Sequence, residues 1–132
     1  PYVRAVIEEY VHQNSRIKRV FRSENGHISA CSNSALEIAT GEFIALLDHD
    51  DLLTSDALEE VVRLLNQHPE ADMIYSDEDK IDDHNQLREA AYKPDWCPDS
   101  FLSRMYTCHL GVYRRSLVNQ IGGFRIRSEE HT

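Results

Sequence analysis

The chain has 132 residues, of which 41% are hydrophobic and 28% are charged, a composition typical of one globular domain. Asp and Glu number 23 against 14 Lys and Arg, so the formal net charge is −9 at pH 7. So acidic a chain lacks the basic clusters that bind a phosphate backbone, which argues against nucleic acid as a partner. The sequence has no apolar stretch of membrane-spanning length, and its three cysteines have neither zinc-site nor disulfide spacing.

The first part of the chain alternates between helix and strand patterns. Apolar residues recur at a helical period over residues 1–13, and the short alternating run 17–21 predicts a strand. A second helix is expected over residues 28–40, with Gly41 after it as a stop. The apolar run 43–47 then predicts a buried strand.

A third helix and another strand follow. Asp56 and Glu59 have capping-box spacing at the start of this helix, which is expected to end before Pro69. Its apolar side chains are expected to face the core: Leu58, Val61, Val62 and Leu65. Residues 72–76 predict the next strand. This alternation indicates an α/β fold with a mostly parallel sheet flanked by helices.

The last third of the chain has weaker patterns. A hairpin is expected over residues 81–93, with its turn at 83–85. Residues 107–113 predict a strand and 115–120 a short helix. The segment 122–124, Gly-Gly-Phe, predicts a tight turn.

The most informative segment is the acidic loop, Asp48-His49-Asp50-Asp51, which follows the apolar run 43–47. Side chains at positions i and i+2 of an extended segment lie on one side, about 7 Å apart. Ligands bind at the carboxyl ends of strands in open α/β sheets, so Asp48 and Asp50 predict a Mg²⁺ or Mn²⁺ site for a phosphate-bearing substrate. The structural alternative is an Asx-turn or a helix cap, the only role predicted for Asp51. His49 is expected to point away from the acids.

The Asp-x-Asp pair alone is weak, since about one such pair is expected by chance in a chain so rich in Asp. A second pair, Asp77 and Asp79, follows the strand predicted at 72–76. A calcium-binding EF-hand is excluded, because Leu52 and Leu53 occupy positions of a ligand and of the required glycine. A haloacid-dehalogenase-type phosphohydrolase, whose Asp-x-Asp also follows an apolar strand, remains an alternative.

Several runs match one family in order and spacing, and together they cover nearly the whole chain: residues 25–36, 39–43, 46–51, 75–82, 93–96 and 122–125. With them the chain resembles the family 2 glycosyltransferases of the GT-A fold. The resemblance is strongest to the bacterial subgroup that builds cell-surface polysaccharides. In that case the sheet would be part of a nucleotide-diphospho-sugar transferase fold.

The resemblance implies transfer of a sugar, with inversion, from a nucleotide diphosphate donor to the hydroxyl of a saccharide or lipid-linked saccharide. It implies Mg²⁺ or Mn²⁺ as cofactor. Asp50 would be the metal ligand, and Asp48 would contact the ribose or support the metal. Asn33 would lie near the nucleotide, with a helix-surface amide as the alternative.

Three residues are placed on the acceptor side by the same resemblance: Asp77, Asp79 and Trp96. For Asp79 the alternative is surface pairing with Lys80 or Arg88. For Trp96, which could stack on a sugar, it is a role as a core plug. His109 is expected to be packed within an apolar strand.

The resemblance also implies that residues 1–132 form a partial catalytic domain, without its first strands and without the segment that supplies the catalytic base. No catalytic residue is assigned in this chain. Glu129 and Glu130 do not match that segment, so the base is expected beyond Thr132 and the chain alone is expected to be inactive. A cytoplasmic location is expected, with association of the longer protein with the inner face of the membrane left open. A non-catalytic carbohydrate-binding module is the third alternative.

Overall fold

The computed structural model describes residues 2–125, which form two compact units. One unit comprises the described residues up to Gly41 together with those from Val118 onward, and the other comprises Glu42–Leu117. Glu129 and Glu130 lie outside the described residues. No helix in the described part is long and apolar enough to cross a membrane.

The first unit contains two of the predicted helices, α1 (Tyr2–Gln13) and α2 (His27–Ile38). The strand predicted at residues 17–21 is wrong. This segment forms no strand, because nothing among the described residues gives it the ladder of hydrogen bonds that a strand needs. Phe21 in this segment packs against a cation instead, since the Arg4 guanidinium lies 4.4 Å from the centre of its ring.

From Glu42 the elements follow in chain order: β1 (Phe43–Leu46), α3 (Ala57–Gln67), β2 (Met73–Tyr75), β3 (Glu78–Ile81), β4 (Leu87–Ala91), α4 (Pro98–Ser103), β5 (Gly111–Arg114) and α5 (Arg115–Gln120). The expected mixture of helices and strands is confirmed. The helix predicted at 115–120 has the predicted bounds, and the hairpin forms from β3 and β4.

The prediction of a mostly parallel sheet is wrong for the described residues. Their main sheet has the order β1-β5-β2, and β5 runs antiparallel to both neighbours. β1 and β2 run in the same direction, as a strand–helix–strand unit requires, but β5 lies between them. The alternation of β1, α3 and β2 along the chain indicates that β1 and β2 are parallel to each other. It does not indicate that a later strand, β5, lies between them.

The core of the second unit lies between this sheet and α3. Ile74, Leu110 and Val112 are buried, and the side chains of Phe43, Val61 and Leu65 pack against them. Ile74 and Val112 are paired across neighbouring strands, so one face of the sheet contributes both. The four-residue spacing of the α3 residues places them on the same helix face.

Two predictions about α3 are wrong. Leu58 and Val62 are 58% and 56% exposed, because the sheet covers only the helix face that carries Val61 and Leu65. The predicted capping box is also not formed, since Asp56 is the N-cap residue but its side chain makes no cap hydrogen bond.

Arg114 at the end of β5 ties the sheet to the loop before β2. Its side chain is 20% exposed, and its guanidinium lies 4.5 Å from the centre of the Phe43 ring. The guanidinium donates four hydrogen bonds of 2.7 to 2.8 Å, to Glu42 Oε1, Asp72 Oδ1 and the carbonyl oxygens of Pro69 and Ala71. One planar group therefore connects the beginnings of β1 and β2 to the end of β5.

The β3–β4 hairpin is closed by Asp82. Its Oδ1 accepts hydrogen bonds from the backbone N–H groups of His84 (2.9 Å) and Gln86 (3.0 Å), and its Oδ2 accepts one from Arg88. The bond from the Gln86 N–H holds the pKa of Asp82 below its ordinary value of 3.8, with Arg88 and the His84 N–H acting in the same direction against a burial effect.

This arrangement predicts how the hairpin responds to acid. A carboxyl whose pKa is lower in the folded state stabilises that state above the unfolded pKa, and this stabilisation disappears as pH falls through the folded pKa. We expect the Gln86 amide proton to titrate with a midpoint below 3.8 in NMR spectra. Asp82→Asn should remove the titration, whereas Asp83→Asn in the same turn should leave the midpoint unchanged. A midpoint at or above 3.8 in the native protein would contradict the assignment.

Candidate functional site

The acidic loop begins at Asp48, two residues after the end of β1, and the register of the sheet determines what lies opposite. Phe43 pairs with Arg114 and Leu46 with Gly111 along the β1–β5 ladder. Two residues further along the same register, Asp48 falls opposite His109. Because β5 is antiparallel to β1, the segment that precedes β5 lies at the carboxyl end of β1. A parallel neighbour would place its own carboxyl end there instead.

Three side chains converge there: Asp48, Asp51 and His109. The Nε2 atom of His109 lies 3.8 Å from Asp48 Oδ2, and its Nδ1 atom lies 3.4 Å from Asp51 Oδ2. One ligand atom from each residue falls within 4.8 Å of the other two. We call this group the Asp-Asp-His cluster.

Asp51 contributes a polar atom that the described residues leave unsatisfied. Its Oδ2 is buried and takes no hydrogen bond there, and the His109 contact at 3.4 Å does not have hydrogen-bond geometry. A buried carboxylate oxygen without a partner is costly, and a bound cation is one way to remove that cost. No described Lys or Arg lies within 4.0 Å of the carboxylates of Asp48 or Asp51.

The cluster differs from the pair that the sequence predicted. Asp50 is not among its members: the Asp50 side chain is 76% exposed and lies 3.7 Å from His49 Nδ1. Metal binding by Asp50 stays a prediction. The expectation that Asp51 serves only as a turn or cap residue is wrong about the cap, because Asp56 is the N-cap of α3.

His109 was missed. The expectation of a packed histidine in an apolar strand is wrong, since its side chain is 40% exposed and faces two carboxylates, and β5 begins only at Gly111. The sequence holds one clue, a histidine two residues before an apolar strand. That clue becomes useful only when the pairing of β5 with β1 is known.

Two charged residues, Glu78 at the start of β3 and Lys93, bind the backbone of His109. The Lys93 side chain is 6% exposed, and its ammonium lies 3.2 Å from Glu78 Oε2. Burial raises the pKa of Glu78, but the hydrogen bond from the His109 N–H and the Lys93 ammonium outweigh it, so the pKa lies below its ordinary value. Asp77 accepts a 2.7 Å hydrogen bond from the Lys93 backbone N–H, which fixes the backbone of Lys93 beside Glu78.

The structural alternatives for two acceptor-side residues are wrong. Lys80 pairs with Glu89 and Arg88 with Asp82, so neither is the partner of Asp79. Trp96 is not a core plug: it is 55% exposed, with its ring centre 5.2 Å from that of Phe101. Contact of Asp77, Asp79 and Trp96 with an acceptor stays a prediction.

Asn33 holds a turn of the first unit. Its Nδ2 donates to the Phe124 carbonyl and its Oδ1 accepts from the Phe124 N–H, both at 2.8 Å. Gly123 lies in this turn with φ of +79°, and a Cβ added there would meet Asn33 Oδ1 at 2.5 Å. The amide therefore stabilises the predicted tight turn, while its contact with a donor nucleotide stays a prediction.

A divalent cation fits the chemistry of the Asp-Asp-His cluster. Two carboxylates and one imidazole form a donor set that Mn²⁺ and related cations accept. The His109 ring nitrogens lie 3.8 Å from Asp48 Oδ2 and 3.4 Å from Asp51 Oδ2, so these three side chains could hold one cation between them. The unsatisfied Asp51 Oδ2 is the observation that favours a cation over an unoccupied surface cluster.

The comparisons with known proteins show which family the chain belongs to. Residues 1–122 match the model of glycosyl transferase family 2. Protein y4gI of Sinorhizobium fredii is 50% identical over 125 residues, which are 95% of this chain and 14% of that protein. The O-antigen biosynthesis protein RfbC of Myxococcus xanthus is 32% identical over 125 residues, 95% of this chain and 10% of RfbC. Chondroitin synthase of Pasteurella multocida is 25% identical over 125 residues, 94% of this chain and 13% of the synthase.

The chain belongs to glycosyl transferase family 2, and its residues form part of a glycosyltransferase domain. The resemblance seen in the sequence is thereby confirmed. The match replaces the alternative of a haloacid-dehalogenase-type phosphohydrolase. The chain spans at most 14% of the length of the three relatives named above.

Proposed function

We propose that this domain transfers a sugar from a nucleotide diphosphate donor to a saccharide or lipid-linked saccharide hydroxyl, with inversion, in the synthesis of a bacterial surface polysaccharide. Family membership and the names of the relatives, which include O-antigen biosynthesis protein RfbC and the teichuronic acid glycosyltransferase TuaG, support the reaction and its setting. The mixed α/β unit is consistent with the GT-A fold of that family. A cytoplasmic location goes with this proposal, because nucleotide sugars would be supplied there.

The observation that carries the donor site is the position of the acidic loop. It follows β1 at the point where the sheet ends, with the unsatisfied oxygen of Asp51 and no described Lys or Arg within 4.0 Å of Asp48 or Asp51. We assign Asp48 and Asp50 to the bound cation, Mg²⁺ or Mn²⁺, and to the donor. Asp50, at 76% exposure, is free to contact a donor that arrives from solvent. Such a cation would neutralise the diphosphate leaving group.

Other residues take the roles that the family pattern gives them. Asn33 contacts the donor nucleotide through the hydrogen-bonding capacity that its bonds to Phe124 leave unused. Asp77, Asp79 and Trp96 lie on the acceptor side, where the exposed Trp96 ring offers an apolar face to a sugar. The base that takes the proton of the acceptor hydroxyl is a carboxylate beyond Thr132.

The proposal predicts metal-dependent nucleotide binding. In the full-length protein, calorimetry with UDP, GDP, CDP and dTDP should show one nucleotide whose affinity falls at least about tenfold when EDTA replaces Mn²⁺. Asp50→Ala should weaken the same binding about tenfold without changing the circular dichroism spectrum, because the side chain is exposed.

Asp83→Ala is the matched control, an exposed Asp in the turn of the β3–β4 hairpin. It should leave the affinity unchanged. Nucleotide binding that is indifferent both to the cation and to Asp50 would refute the proposed donor site.

A further inference from the structure

The backbone of His109 is held by a charged pair. Its N–H donates to Glu78 Oε2 at 2.5 Å, and its carbonyl oxygen accepts from Lys93 Nζ at 2.8 Å. The same two charged groups lie 3.2 Å apart. The ion pair therefore contacts both polar backbone groups of His109, and Ser76 Oγ also donates to the carbonyl oxygen at 3.3 Å. The imidazole faces the acidic loop and lies 3.3 Å from Cys108 Sγ.

Burial of the Glu78–Lys93 ion pair costs desolvation free energy. An ammonium with a 6% exposed side chain loses most of its hydration, and a nearby carboxylate rarely returns more than that loss. Replacement by apolar residues would serve stability as well, so the observed pair is better explained by what it orients. It orients the one described nitrogen ligand that stands between Asp48 and Asp51.

We propose that Glu78 and Lys93 position His109 as a nitrogen ligand of the cation, and that this ligand makes the site prefer Mn²⁺ over Mg²⁺. The inference rests on the proposed function, which supplies the cation, and adds His109 and Asp51 to its ligands. Mg²⁺ favours an all-oxygen shell, whereas the first-row transition ions, of which Mn²⁺ is the weakest binder, accept an imidazole nitrogen more readily than Mg²⁺ does. Groups that orient a metal-binding histidine typically change metal affinity 10- to 100-fold when they are lost.

Pulsed EPR of Mn²⁺ bound to the full-length protein tests the ligand directly. Inorganic pyrophosphate is the companion ligand, because it supplies the diphosphate oxygens without any nitrogen. We expect a ¹⁴N modulation in the native protein that disappears in His109→Gln. The matched control is His49→Gln, which changes a 97% exposed histidine of the same acidic loop and should retain the modulation.

The positioning role needs its own variant. Glu78→Gln combined with Lys93→Met removes both charges, so that neither is left buried and unpaired. We expect Mn²⁺ affinity to fall at least about tenfold, with a weaker ¹⁴N modulation and an unchanged circular dichroism spectrum. The ratio of Mn²⁺ to Mg²⁺ affinity should fall by a similar factor in His109→Gln.

The outcomes separate the two proposals. Bound Mn²⁺ without ¹⁴N modulation in the native protein, or with a modulation that survives His109→Gln, overturns His109 as a ligand and leaves the proposed transferase function intact. An unchanged modulation and affinity in the Glu78 and Lys93 variant overturn the positioning role. Nucleotide binding that ignores the cation overturns the proposed function and this inference together.

Discussion

Asp48→Asn should reduce sugar transfer by the full-length protein at least about 100-fold. The substitution keeps the shape of the side chain but removes the charge that lies opposite His109 in the β1–β5 register. Loss of one charged ligand from a cation site corresponds to about 3 kcal/mol, and each 1.4 kcal/mol is a factor of ten. The measurement is release of nucleoside diphosphate from a panel of nucleotide sugars, in the presence of Mn²⁺.

The Asp48 side chain is 62% exposed, so the variant should fold like the native protein. Asp83→Asn serves as the control for loss of one exposed carboxylate. Activity within about threefold of the native value would mean that the cation is held elsewhere. The result would then leave Asp51 and His109 as a structural contact.

Arg114→Ala should have the largest effect on stability. The guanidinium makes four hydrogen bonds, two of them to backbone carbonyl oxygens that would lose their partner. The carboxylates of Glu42 and Asp72 are 75% and 56% exposed, so their share is small after solvent screening. The carbonyl bonds and the packing on Phe43 dominate, and together they suggest a loss of about 3 kcal/mol.

Hydrogen-exchange mass spectrometry can measure this loss in the full-length protein. Protection of peptides from β1, β2 and β5 should fall about 100-fold in Arg114→Ala, the factor that 3 kcal/mol implies. Arg63→Ala is the comparison, because Arg63 forms an exposed pair with Glu60 on α3. If both variants lose protection equally, Arg114 does not tie the strands together.

Local patterns in the sequence predicted most of the elements and the β3–β4 hairpin, but not the pairing within the main sheet. The apolar run of β1, the amphipathic α3 and the turn of the hairpin depend on residues close together in the chain. The insertion of β5 between β1 and β2 depends on residues far apart, and nothing in a four-residue strand states which neighbour it will have. The parallel-sheet prediction failed for that reason.

The candidate site was likewise predictable only where its residues are close together in the sequence. Asp48 could be found because strand and acid are adjacent in sequence. Asp51 and His109 could not be added, since their approach follows from the β1–β5 register. The sequence pattern could not predict the role of Glu78 and Lys93 either. Both residues bind the backbone of His109, which lies far from Glu78 in the chain.

The central place of β5 also bears on how the protein is made. β1 and β2 leave the ribosome first, yet among the described strands each pairs only with β5. Until β5 emerges, both carry open hydrogen-bonding edges, the condition in which nascent chains associate wrongly or bind chaperones. The acidic loop likewise meets His109 only after that point. The pairing of the described strands β1 and β2 with β5, and the approach of His109 to the acidic loop, therefore occur together in a single late step.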